Sequence, residues 1–251
     1  SFRFNVKTLT NATMKEFWNF LKNEHKISKD YPEIYKEVKD CQSVISQRSN
    51  NTLVGFIKRL KVFFSWCIEE GLISESPLAG FEMPTEKYGT PIYITKEELH
   101  TIYNCDLSDA PHLDRQRDIF VFQCCIGCRV GDLMRMRKRD VQNGILSYIP
   151  HKTLNDNART VSVPLNEVAM AIYNKYISDD LAAPIFPFIY PQEYNDAIKL
   201  CLRMAGITRM VVVLDPLTRT EVKKPICEIA SSHMARRTLV GNLYKQVKDP
   251  N

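Results

Sequence analysis

The sequence predicts a mainly α chain of two domains, the first all-helical and the second mostly helical with β hairpins. Three observations carry that expectation. Apolar residues recur at helical spacing along the first 70 residues. A stretch rich in proline and glycine interrupts the pattern, and two short β-rich pairs lie among helical segments after it. The expected boundaries are 1–82 for the first domain, 83–92 for a linker and 93–251 for the second domain.

In the first domain, "LTNATMKEFWNFLKNEH" spaces Met14, Phe17, Trp18 and Leu21 for one helix, and a second periodic stretch runs from Tyr31 to Ile45. "NNTLVGFIKRLKVFFSWCIEEGLI" is the strongest helix of the region. Leu53, Phe56, Ile57, Leu60, Phe64, Cys67 and Ile68 form its apolar stripe, Lys58, Arg59 and Lys61 lie off the stripe, and Gly71 ends it. "SESPLAGFEMPTEKYGTP" holds three prolines and two glycines and reads as linker. "ITKEEL" offers a capping box of Thr95 and Glu98. "RDIFVFQCCIG" is apolar all round and predicts a buried helix. Ile145, Tyr148, Ile149, Val161 and Val163 flank "LNDNA" as a hairpin, with Lys152 near its tip. Helices follow over 167–176 and 193–204, then a second β pair, "MVVVLDP" with "TEVKKPI", and a last helix over 232–247.

The 251 residues carry a formal net charge of +5, which leans towards an anionic partner. The longest apolar run is far below the roughly 18 residues of a membrane span, no signal-peptide pattern opens the chain, and a cytoplasmic setting is expected. Because the chain opens on Ser1 rather than Met, a longer native protein is expected. Eight irregularly spaced cysteines do not form a disulfide framework. The C-x-x-C of Cys125 and Cys128 lacks a second ligand pair, so no metal and no cofactor are expected, and the thiols are read as small buried hydrophobes.

Chemistry concentrates in three pieces of the second domain: "GCRVGDL" with Arg129, "HKT" with Lys152, and "SSHMARRT" with His233 and Arg236. His233 and Arg236, three apart, share a helix face near an N-terminus that already favours anions. Taken singly, each piece has an ordinary explanation: an Arg129–Asp132 surface pair, a solvated hairpin lysine, a basic helix start. Together, two arginines, a lysine and a histidine without paired carboxylates suit a phosphodiester, because planar guanidinium groups grip two phosphate oxygens at once.

With these pieces in this order, the chain resembles the tyrosine recombinases of the phage-integrase superfamily, in particular integrases of conjugative transposons and related bacterial mobile elements. "NTLVGFIKRLKVFFSWCIEEGLISESPLAGF" resembles the last helix of the family's core-binding domain, and "RDIFVFQCCIGCRVGDLMRMRKRDV" resembles the segment with the first catalytic arginine. "GILSYIPHKT" is similar to the hairpin with the catalytic lysine, and "SHMARRTLVGNLYKQVKDPN" to the H-x-x-R segment. The resemblance implies a SAM-like core-binding domain followed by a catalytic domain of the DNA breaking-rejoining type.

It also implies site-specific recombination or integration through a 3′-phosphotyrosine intermediate, without metal or cofactor. Arg129, Lys152, His233 and Arg236 are then the catalytic residues and Asp132 an orienting one. Lys58, Arg59, Lys61, Arg135, Arg137, Lys138 and Arg139 are candidate contacts to double-stranded DNA. A tetramer on DNA during strand exchange is expected. The family's nucleophilic tyrosine follows the H-x-x-R segment, and Tyr244, eight residues past Arg236, is about 12 Å further along the helix axis. This chain is therefore expected to bind DNA without cleaving it. The alternatives are a non-catalytic DNA-binding accessory protein and a type IB topoisomerase-like enzyme on the same scaffold.

Overall fold

The structure is a computed structural model and describes residues 5–35, 45–154, 158–187 and 190–247. The chain divides into two compact units: Ser1–Gly89 with Val213–Val222, and Thr90–Val212 with Lys223–Asn251. Among the described residues, no helix is long and apolar enough to cross a membrane.

In the first unit, α1 (Asn11–Asp30) starts at a Thr10 cap that shares a reciprocal capping box with Thr13. It runs past the expected end because no breaker precedes Pro32. The periodic stretch expected from Tyr31 opens instead as a 3₁₀ turn over Pro32–Tyr35, and its remainder, 36–44, lies outside the described residues. Helix α2 (Asn50–Glu69) buries Leu53, Val54, Ile57, Phe64 and Cys67, while Ile68 is exposed. Met14, Ile57, Phe64 and Leu78 make the core, with Trp18, Leu60 and Phe81 packed against it. Burying each large apolar side chain contributes about 1.5–3 kcal/mol.

The second unit is built around α4 (Pro111–Ile126). Ile119, Phe120, Val121, Phe122, Cys124 and Ile126 are all buried, so the helix is apolar all round and is covered on every side. Around it pack α3 (Lys96–Tyr103), α6 (Glu167–Lys175), α7 (Pro191–Met204) and α9 (Ser232–Val247). The capping box of Thr95 and Glu98 opens α3 as expected. An ion-pair network joins α4 to α6. Asp118, 1% exposed, accepts from Arg117 Nε and Nη2 at 3.1 and 2.9 Å, from Lys175 Nζ at 2.7 Å and from Tyr176 Oη at 2.9 Å. The segment entering the unit is held by its last helix. Ile94 N donates to Thr238 Oγ1 at 3.1 Å, and Asn242 Nδ2 donates to Ile94 O at 3.1 Å.

Among the described residues two sheets complete the fold, the first of them antiparallel. A three-stranded one runs β1 (Val141–Gln142), β2 (Ile145–Tyr148), β3 (Val161–Pro164), with Leu146 opposite Val163 and Tyr148 opposite Val161. The expected hairpin is β2–β3, and β1 is an additional strand. The other sheet pairs β4 (Met210–Leu214) with β5 (Glu221–Pro225). The short helices α5 (Val130–Leu133) and α8 (Ile226–Ile229) finish the element list.

Candidate active site

Helix α4 ends at Gly127, whose φ of +67° takes the chain out of the helix in a left-handed turn. Cys128 is buried, and Arg129 follows as the residue capping α5, its side chain exposed. A Cβ at Gly127 would meet Leu239 Cδ2 of α9 at 2.5 Å. Gly127→Ala therefore combines left-handed strain of about 1–2 kcal/mol with overpacking of about 1–3 kcal/mol. Urea denaturation of the variant is expected to show a loss of at least about 2 kcal/mol; wild-type stability would mean that Leu239 yields freely.

Lys152 stands in a 3₁₀ turn, His151–Thr153, between β2 and β3; residues 155–157 of that loop lie outside the described residues. The start of this turn is fixed by Asp132, whose Oδ1 accepts from His151 N at 3.0 Å. Helix α9 presents His233 and Arg236 on one face, and Arg236 Nη1 donates to Gly127 O at 3.3 Å.

These segments enclose one cavity of about 370 Å³ whose lining includes Arg129, Asp132, Arg135, Lys152, His233 and Arg236. Three arginines, a lysine and two imidazoles, His151 and His233, thus line the cavity with a single carboxylate, and that carboxylate is already engaged with a backbone N–H. Such a site attracts an anion of high charge density. A larger cavity of about 760 Å³ lies in the first unit, but its only ionisable lining groups are Lys7 and Glu75, so no charge converges there.

The electrostatics fit an anion site. Burial, then the charges of Arg237, Arg129 and Arg236, lowers the His233 pKa from its ordinary value. The Cys128 thiol is pushed well up, first by burial and then by Asp132, and stays protonated. Cys124 is buried and likewise raised by burial, so these thiols act as packing groups. Tyr148, unremarked in the sequence, lines an adjoining groove with Asp132 and Arg135. Its hydroxyl is pushed up to about 12 by burial, then by Cys128 and Asp132, which keeps it a neutral phenol.

The other candidate residues are placed as follows. Arg135 lines the cavity and Arg139 is exposed, while Arg137 is half-buried with its backbone N–H on Asp140 Oδ2 at 2.7 Å. Lys138 departs from expectation. It is 7% exposed, its ammonium donates to Ser178 Oγ, and its carbonyl accepts from Tyr173 Oη at 3.0 Å. The basic run bends here into a 3₁₀ turn that points Lys138 inward, so it is a packing residue and not a phosphate contact. In the first unit, Lys58 is exposed and paired with Glu86, Arg59 stands over the Phe56 ring at 5.7 Å, and Lys61 is exposed. Tyr244, 65% exposed, is not among the residues lining the cavity.

No family model matches the chain. Tyrosine recombinase XerD of Listeria monocytogenes serotype 4b (strain F2365) is 21% identical over 205 residues, covering 80% of this chain and 65% of that protein. XerD of Listeria innocua serovar 6a is 20% identical over 207 residues, with the same coverage. The chain thus spans about two thirds of the length of these curated relatives. Among solved structures, a lambda integrase dimer bound to a COC′ core site matches with a TM-score of 0.60 at 16% identity, over 98% of this chain and 75% of that one. The Tn1549 transposon integrase in complex with a circular intermediate DNA matches at 0.53 and 14% identity, over 96% and 74%. The mainly helical architecture is that of these integrases. The chain is thus similar in sequence, at a distance, to XerD tyrosine recombinases, and it shares its fold with these integrases over nearly its whole length.

Proposed function

We propose that the chain takes part in site-specific DNA recombination or integration of a mobile element, and that its cavity holds the phosphodiester at which strands are cut and rejoined. The observation that carries this reading is the convergence of Arg129, Lys152, His233 and Arg236 on one cavity. Arg129 and Arg236 grip the non-bridging oxygens and stabilise the charge that grows on them in the pentacoordinate transition state. Lys152 protonates the departing 5′-oxygen, and His233 moves the proton of the attacking hydroxyl. Asp132 orients the turn that carries Lys152. In the full reaction a tyrosine oxygen bonds to phosphorus as the P–O5′ bond breaks, leaving a 3′-phosphotyrosine and a free 5′-hydroxyl. Among the described residues no tyrosine lines the cavity, so these 251 residues bind duplex DNA without forming the covalent link. Lys58, Arg59, Lys61, Arg135, Arg137 and Arg139 supply further phosphate contacts, and strand exchange takes place in a tetramer.

Two measurements test this. Duplex affinity of the chain is expected to fall steeply with salt, with a log–log slope of about −5 if six phosphates are neutralised; a slope near zero rejects a phosphate clamp. On a denaturing gel with nicked duplex no protein–DNA adduct is expected, and an adduct would show that a tyrosine of this chain does reach the phosphate.

A pH dependence follows from His233. Its pKa in the free protein is lowered, so its contribution to stability is present above the ordinary imidazole value of about 6.5 and is lost as pH falls through the depressed value. A bound phosphate screens the neighbouring arginines and raises that pKa, so binding takes up a proton. Duplex affinity is then expected to rise as pH falls from about 7.5 to 5.5. Measured by fluorescence anisotropy, the rise disappears in His233→Ala; an unchanged profile in that variant removes His233 from the phosphate.

A further inference from the structure

Two of the segments that line the cavity are the loop after α4, with Arg129, and the start of α9, with His233. Both are tethered to α7, by neighbouring residues. Tyr194 is wholly buried, and its Oη donates to Oε1 of the equally buried Gln123 at 3.0 Å. Gln123 Nε2 in turn donates to the carbonyl of Cys128 at 3.1 Å, one residue before Arg129. Asn195 Oδ1 accepts from Ser232 N at 2.9 Å, one residue before His233. Successive residues on a helix diverge by about 100°, which is how adjacent positions reach two different elements.

An apolar pair would fill the space of Tyr194 and Gln123 without the desolvation cost of two buried polar groups. What the polar pair adds is direction. It fixes one carbonyl oxygen, and with it the backbone from which Arg129 departs. The Gln123 amide is oriented unambiguously, since turning it over would set its oxygen against the Cys128 carbonyl. Asn195 takes one of the N–H groups left free in the first turn of α9, and so sets the axial position of the helix that carries His233 and Arg236. Arg236 closes the frame on the neighbouring carbonyl of Gly127.

We propose that Tyr194 and Asn195 are positioning residues through which α7 holds Arg129 and His233 in register across the cavity; their effect on DNA rests on the phosphodiester reading above, whereas their effect on geometry does not. A misplacement of about 1 Å at such a site costs up to about 100-fold.

The test uses Tyr194→Phe and Asn195→Ala in the 251-residue chain, with two readouts. Affinity for a short duplex of arbitrary sequence is expected to fall about tenfold in each variant. The His233 imidazole, assigned by NMR from a His233→Gln spectrum, is expected to titrate closer to the ordinary value, because Arg129 no longer stands against it at its parent distance. Arg236 and Arg237 belong to the same helix and move with it, and Arg135, His151, Lys152 and Asp132, the other titratable groups of the cavity, stay as they are. Asp118→Ala, in the α4–α6 ion-pair network, is the reference for a purely structural loss: it lowers the melting temperature and leaves the His233 titration in place. Wild-type titration and wild-type affinity in both α7 variants would overturn the proposal. If Arg129→Ala binds duplex as the parent chain does, the phosphodiester reading has failed, and the titration alone then decides the positioning role. If Asn195→Ala does not fold, Tyr194→Phe decides, since it removes a single oxygen and keeps the ring.

Discussion

Arg236→Ala is expected to weaken duplex binding about 10- to 100-fold near 0.1 M salt. A hydrogen bond to a charged group is worth about 1.5–3 kcal/mol, and each 1.4 kcal/mol is a factor of about ten. The exposed guanidinium spends only one long N–H on protein, the 3.3 Å bond to Gly127 O, so the rest of its fork is free for phosphate oxygens. Arg236→Lys keeps the charge and loses the planar fork, and is expected to recover less than half of the loss on a logarithmic scale. Arg129→Ala has a similar effect. Because both side chains serve one ligand, the double variant loses less than the sum of the two singles. Anisotropy titrations of the four proteins check this, and parent-like affinity in both single variants would mean that the cavity does not hold the phosphate.

The largest effect on stability is expected at Asp118. This nearly inaccessible carboxylate accepts from Arg117, Lys175 and Tyr176, and Arg117 is itself 8% exposed. Asp118→Ala leaves the buried guanidinium with Asp114 and the Cys105 carbonyl as its remaining partners. Removing one member of a buried pair costs about 3–5 kcal/mol, mainly through the charge left behind. The half-exposed Lys175 contributes little to that figure. For a unit of this size the melting temperature is expected to fall by roughly 10 °C, followed by circular dichroism. A shift below about 2 °C would show that the neighbours re-pair or that water enters.

What could be seen in the sequence was local. The apolar stripe of α2, the all-apolar α4, the Thr95–Glu98 box and the alternating residues of β2 and β3 are periodic signals, and a periodic signal survives without knowledge of tertiary contacts. Arg129, Lys152, His233 and Arg236 stood out only when taken together and in order, since singly each has an ordinary explanation. What stayed hidden depends on distant pairs. Lys138 sits in a run of three basic residues and looks solvated until its bonds to Ser178 and Tyr173 are known. Gln123 gives no hint of its link to Tyr194, 71 residues away. The two-residue β1 is too short to show a period, and Tyr148 carries no sign in the sequence of the buried Cys128 and Asp132 near it.

The bonds from Thr238 and Asn242 to Ile94 span 144 and 148 residues. Contacts so remote in the chain form late, because a long loop must close before they bring any return. On the ribosome, synthesis reaches Ile94 well before the helix that clasps it has been made. The arginine, lysine and histidine of the cavity therefore gather only after α9 has been made, and a nascent chain that stops short of that helix has no assembled anion site.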